Sequence, residues 1–182
     1  MIRKTEEGKQ EGKGEKWGKE TNCLIMITDS RSLASVMCGH DVLNDSSLQM
    51  TLSATMQRLE VALNHGWRIN DVGGDPWIWR PREQNKAPDS ICNYVMDHKC
   101  DFIQVDLDAT RFRVRPNIYI SSDGGCRVEK GISATGWVIR AVGKNSGGTV
   151  ILDVAKGGTF INRTCSSFEV EAYAMSEAMQ YF

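Results

Sequence analysis

Four carboxylates stand where a chain could use them to hold divalent metal. Asp29 closes the apolar run of residues 22–28, NCLIMIT. Asp123 closes IYISS and is followed at once by Gly124 and Gly125. Glu171 falls in the first turns of a helix that Ser166-Ser167 can cap, and Asp89 falls in the first turn of a helix that begins in REQNKAP. Each acid alone reads equally well as a surface carboxylate, a helix N-terminal charge or a turn former. Together they suit one chemistry. Two Mg2+ ions ~4 Å apart can activate a water and stabilise an anionic leaving group, which is metal-assisted hydrolysis. Mg2+ prefers carboxylate oxygen and water, and four carboxylates balance two dications.

The elements that must position these acids follow from apolar periodicity. Residues 22–28 predict a buried strand that delivers Asp29 at its tip. Residues 32–39 predict a short helix, and residues 47–65 a longer one, with Leu48, Leu52, Met56, Leu59, Val61, Ala62 and Leu63 as its apolar side chains and His65-Gly66 closing it. PWIWRP, residues 76–81, predicts a strand between prolines, and residues 85–97 a helix with Pro88 in its first turn. Residues 99–116 are polar and of mixed charge and read as a linker, partly extended. Strands are expected at 117–121, 134–142 and 149–154, with an extension over 159–162, punctuated by Gly124-Gly125, Gly143 and Gly147-Gly148. A last helix is expected over 167–182, with Phe168, Val170, Ala174, Met175 and Ala178 on its apolar side. Strands and helices mixed in this way predict an α/β layered domain.

Bulk properties narrow the classes. Hydrophobic residues make up 41% and charged residues 25%, which excludes a disordered or fibrous chain. No apolar run approaches the ~18 residues that span a membrane, so no membrane partner is expected, and the polar start predicts no secretory signal. The six cysteines, at 23, 38, 92, 100, 126 and 165, lack the two-residue spacing of a zinc knuckle or redox motif and are expected as reduced thiols. With 22 Lys+Arg against 23 Asp+Glu, overall charge does not announce a nucleic-acid binder, although a local basic face can coexist with clustered acids. Residues 1–20 carry 6 Lys+Arg and 5 Asp+Glu with little apolar surface, and are expected to be a disordered charged arm.

At this point the residues reach a resemblance. IYISSDGGCR, then GWVIRAV, a further strand and NRTCSSFEVEAYAMSEA resemble the first half of the ribonuclease H fold: a strand ending in Asp-Gly, a three-strand meander, then a helix presenting a Glu followed by Ala three residues on. Asp123 and Glu171 match those positions. Glu169 competes, but Glu171 places Ala174 and Ala178 at the family's small-residue spacing. CLIMITDSRSL resembles the family's fourth strand with its Asp-Ser, mapping to Asp29. WIWRPREQNKAPDSICN resembles the fifth strand and last helix in the plant and retroelement style, with Asp89 as the last acid and Pro88 where Ala is usual.

The order departs from the family. Residues 21–98 resemble its C-terminal half and residues 117–182 its N-terminal half, so 99–116 would join the old termini. The chain reads either as a circular permutation or as the junction of tandem units in a retroelement polyprotein, and permutation is tolerated where cuts fall in loops.

The resemblance implies a mixed five-stranded sheet flanked by helices. It also implies an Mg2+-dependent endonuclease, with Mn2+ as a substitute ion, cutting the RNA strand of RNA/DNA hybrids by two-metal catalysis. Asp123 would bridge both ions, Glu171 and Asp29 would hold the one nearer the leaving group, and Asp89 the one carrying the attacking water. Gly124, Gly125 and Cys126 are placed to read 2′-hydroxyls. Arg82 and Asn85 are placed for phosphate, with helix capping the other reading of Asn85. The family's loop histidine has no counterpart, since the histidines stand at 40, 65 and 98. A weak nucleic-acid-binding remnant and a DNA-directed nuclease of the same fold are the competing functions. A monomer without a small-molecule cofactor is expected, and the compartment, nuclear or cytoplasmic, stays open.

Overall fold

β1 (Cys23–Thr28) is the run the sequence marks most plainly, and its Leu24, Ile25, Met26 and Thr28 are all buried. In this computed structural model the described residues are 23–69, 77–106 and 116–182, so the expected arm at 1–20 lies outside them, as does most of the linker. After β1 come α1 (Arg31–Met37), α2 (Ser46–Asn64), β2 (Arg68–Ile69) and β3 (Trp77–Trp79). A short 3-10 turn (Arg82–Gln84) leads into α3 (Lys86–His98) and β4 (Phe102–Val105). The chain continues through β5 (Asn117–Arg127), β6 (Ile132–Asn145), β7 (Gly148–Gly158), β8 (Phe160–Ile161) and α4 (Ser167–Ala178). Side chains start three of the helices: Ser30, Asp45 and Ser166 each accept backbone N–H bonds at the N-caps of α1, α2 and α4.

The strands form one open mixed sheet in the order β2-β1-β5-β6-β7-β4, with β3 also paired to β1 and β8 to β6. β1 runs parallel to β5, in the register Leu24 to Ile118 through Thr28 to Ser122, and parallel to β3. β5, β6 and β7 form an antiparallel meander.

Each sheet face carries its own core, as strand alternation requires. Trp137, Ile139 and Ala141 of β6 join Leu24, Met26, Ile120, Leu33, Leu59 and Met175 beneath α1, α2 and α4. Ile132 and Ala134 of the same strand pack on Cys92, Val95 and Met96 of α3. The consecutive glycines 124 and 125 let helices approach from both sides. A Cβ on Gly124 would lie 2.5 Å from the Glu171 nitrogen and 2.6 Å from the Val170 carbonyl carbon, and one on Gly125 would lie 2.7 Å from the Cys92 sulfur.

Two expectations are corrected here. Among the described residues the sheet has eight strands rather than five, and the extended part of the stretch 99–116 is an edge strand over residues 102–105, antiparallel to β7 from Phe102 beside Gly158 to Val105 beside Ala155. The run FIQV sits between Asp101 and Asp106 and leaves Ile103 and Val105 exposed, so it has no buried alternation to betray it. β5 also continues past residue 121 to Arg127. Gly124-Gly125 read as punctuation, whereas they are mid-strand positions emptied for the two helices. No described helix is long and apolar enough to cross a membrane.

Gly124→Ala should lower unfolding stability by about 1–3 kcal/mol, because backbone atoms of α4 occupy the space. Gly147→Ala, whose nearest neighbour would be the Asn145 Oδ1 at 3.4 Å, should stay within roughly 0.5 kcal/mol of the parent. Urea denaturation of both variants checks the pair.

Candidate metal centre

Parallel pairing of Thr28 with Ser122 makes the residues that follow, Asp29 and Asp123, neighbours where the β1–β5 ladder ends. α4 crosses over Gly124 and sets Glu171 above them. One carboxylate oxygen from each of Asp29, Asp123 and Glu171 lies within 4.8 Å of the others. Glu169 is employed elsewhere. It completes the capping box with Ser166 and pairs with Arg163, and Tyr173 donates to it, which leaves Glu171 as the acid aimed at the sheet.

The trio is held from behind. Asn85 is buried, and its Nδ2 donates to Asp29 Oδ1 at 3.2 Å and to the Ser122 carbonyl at 2.7 Å, tying the end of β1 to the middle of β5. Trp79 Nε1 donates to the Asp29 carbonyl at 2.9 Å. Ser30 caps α1 immediately after Asp29, so the acid sits on a fixed strand-to-helix corner.

The electrostatics are those of a site short of positive charge. Asp123 is 3% exposed and Glu171 5%. Burial, then the charges of Asp29 and Asp89, push the Asp123 carboxyl up to about 7, with Arg82 opposing. Burial, then Asp123 and Asp29, push Glu171 up to about 9, against the Gly124 N–H that favours its ionised form. Glu171 Oε2 is buried with no hydrogen-bond partner. A buried carboxylate oxygen left unpaired is costly unless something positive meets it. The all-oxygen, all-anionic donor set fits a hard dication such as Mg2+ or Mn2+.

Asp89 stands outside the trio. It occupies the first turn of α3 as expected, but its carboxylate pairs with Arg82 and accepts from Asn93 Nδ2 at 3.2 Å. Its charge still reaches Asp123. Arg82 is exposed, apart from that pairing. Asn85 needs correction in both its readings. It makes no side-chain cap on α3, and its buried Nδ2 donates to Asp29 and Ser122 rather than facing outward to a phosphate, while its Oδ1 is buried without a partner. Gly124 and Gly125 turn their α-carbons to α4 and α3, so helix packing explains them without a substrate contact. Cys126 is half-buried, facing Ser133 across the strand pair. None of the three histidines joins the trio; His65 and His98 bond to carbonyls of their own helix, Val61 and Tyr94. Sequence reasoning missed Trp79 and the true role of Asn85. The carbonyl that Asn85 holds is 37 residues away, and no local pattern carries that information.

Two carboxyls held above their ordinary values of 3.8 and 4.5 bind protons more tightly folded than unfolded. Their stabilising contribution is therefore full below about pH 4 and is lost as pH rises through about 7 for Asp123 and about 9 for Glu171. Thermal melts with a chelator should show the midpoint falling over that window. Glu171→Gln should flatten the fall; a wild-type slope unchanged in the variant would contradict this account.

A scan against protein-family models and searches of curated proteins and of solved structures found no match for this chain.

Proposed function

We propose that the chain is an Mg2+-dependent endonuclease of the ribonuclease H type, acting on the RNA strand of RNA/DNA hybrids, with its fold segments in circularly permuted order. The observation that carries the reading is the convergence of Asp29, Asp123 and Glu171 from three separate elements, with a buried Glu171 oxygen left unpartnered. The arrangement of β5, β6 and β7 as a meander, of α4 behind it, of β1 parallel beside β5 and of β3 parallel beside β1 supports the permuted order.

Asp123, Glu171 and Asp29 would hold the ions, with buried Asp123 between the other two in the role of shared ligand. Bound divalent ions would supply Lewis acidity and a water acidic enough to attack a phosphodiester near neutral pH. Asn85 keeps the Asp29 carboxylate in place before any ion arrives. Arg82, in its pairing with Asp89, keeps the fourth acid at the rim, where it influences Asp123 through space. That same pairing favours a second reading. With Asp89 engaged, three carboxylates remain, and the chain would bind nucleic acid with little turnover.

Labelled RNA/DNA hybrid, duplex DNA and duplex RNA, each incubated with Mg2+, separate these readings. Cleavage confined to the RNA of the hybrid is expected. Cleavage of duplex DNA would mark a DNA-directed nuclease of the same fold, and binding without cleavage would mark the weak remnant. Asp123→Asn should lower the rate on the order of 10³-fold, since about 4 kcal/mol of charge stabilisation goes with a shared ligand. Asp89→Asn should cost less, because its carboxylate stands outside the trio.

A further inference from the structure

Beside the acidic trio lies a cation–π pair that the metal chemistry does not use. The Arg31 guanidinium sits over the Trp79 ring, 4.2 Å from its centroid. The same indole donates its N–H to the Asp29 carbonyl at 2.9 Å. Arg31 is the first residue of α1, directly after the Asp29-Ser30 corner, and it is exposed. Among the described residues no carboxylate pairs with Arg31, Arg80 or Lys86, all exposed, and Arg82 lies between them in the chain.

We propose that Arg31, held over Trp79, is a contact for the backbone phosphate of the nucleic-acid strand at the trio, and that Trp79 is a positioning residue joining that contact to Asp29. The proposal rests on the nuclease reading above and names how its substrate is gripped. A guanidinium held over an aromatic face still has N–H donors to offer, and its fork suits two oxygens of one phosphate. Contact with the ring also removes rotamer freedom before the phosphate arrives, so less is lost on binding. Basic side chains around clustered acids resolve an apparent conflict: a chain of net charge −1 can still present a local cationic track to an anionic polymer. Any shift of the indole is transmitted to the main chain of a metal-binding acid, because one ring serves both.

The test measures binding of a fluorescent RNA/DNA hybrid to the full chain, in Ca2+ to slow cleavage, over a salt series, followed by turnover in Mg2+. Arg31→Ala should weaken binding roughly tenfold, as for one lost charge-assisted contact. It should also make the dependence of log K on log salt shallower by about 0.9, the release from one phosphate. Arg31→Lys should recover the salt slope but only part of the affinity. Trp79→Phe, which keeps an aromatic face but loses the N–H, should lower kcat severalfold while moving Kd little. Arg140→Ala is the control, since Arg140 pairs with Asp153 and faces Tyr119, away from the trio. Arg31→Ala with unchanged Kd and slope overturns the contact while leaving the nuclease reading standing. Equal losses in Arg31→Ala and Arg140→Ala reduce the effect to bulk charge and overturn it too. Trp79→Phe with parental kcat removes the positioning role. A parent chain that binds no hybrid at all defeats both this proposal and the nuclease reading.

Discussion

β1 and β5 come from segments far apart in the chain and lie parallel, Leu24 beside Ile118 and Thr28 beside Ser122. Their start is fastened by Asn117 Oδ1, which accepts from the Cys23 N–H at 3.1 Å across 94 residues of sequence. Closing so long a loop costs entropy, although the cost grows only logarithmically with length. Fully buried Leu24, Met26 and Ile120, under Leu33, Leu59 and Met175, offset it. Everything at the candidate centre follows from that pairing. A slip of one residue would send Asp29 and its neighbours to the opposite face of the sheet.

Once the register holds, the protein contains a liability it does not need for folding. Three acids are drawn together in low dielectric, and the cheapest response of the metal-free molecule is to keep protons on Asp123 and Glu171. Structural carboxylates elsewhere in the molecule show the contrast. Glu169 has Arg163 and a helix cap, and Asp97 has Arg127, and both are held below the usual carboxylate range. Asn85, a neutral amide, ties the end of β1 to the middle of β5 without neutralising anything, so the deficit of positive charge persists. Neighbours that fix geometry yet leave charge unmet are what a site for a dication requires.

The elements around the acids were legible because each has a local signature. The run CLIMIT, the helical spacing of Leu48, Leu52 and Leu59, and the Ser166 cap before Glu169 need no tertiary information. The acids were legible for a related reason: Asp29 follows the last residue of β1, Asp123 follows an apolar run although β5 continues past it to Arg127, and Glu171 sits on a capped helix. What was illegible depends on partners distant in sequence. Gly124 and Gly125 look like a turn until α4 and α3 are laid on them. Asn85 looks like a cap or a phosphate ligand until the Ser122 carbonyl is found beside it. Phe102 gives no strand signal until β7 supplies the ladder and Tyr94 the ring that meets it edge-on. Asp89 was placed correctly on its helix, but only the folded chain shows that Arg82 and Asn93 hold its carboxylate at the rim.

The central claim is that Asp29, Asp123 and Glu171 form a divalent-cation site, and direct titration with Mn2+ tests it without any substrate. Free Mn2+ gives a sharp paramagnetic resonance signal that is lost when the ion is held by protein. The account predicts saturable loss of that signal, tighter at pH 8 than at pH 6 because the ion must displace protons from the raised carboxyls, competed by Mg2+, and abolished in Asp123→Asn. Binding that is absent from the parent chain, or identical in parent and Asp123→Asn, would contradict it.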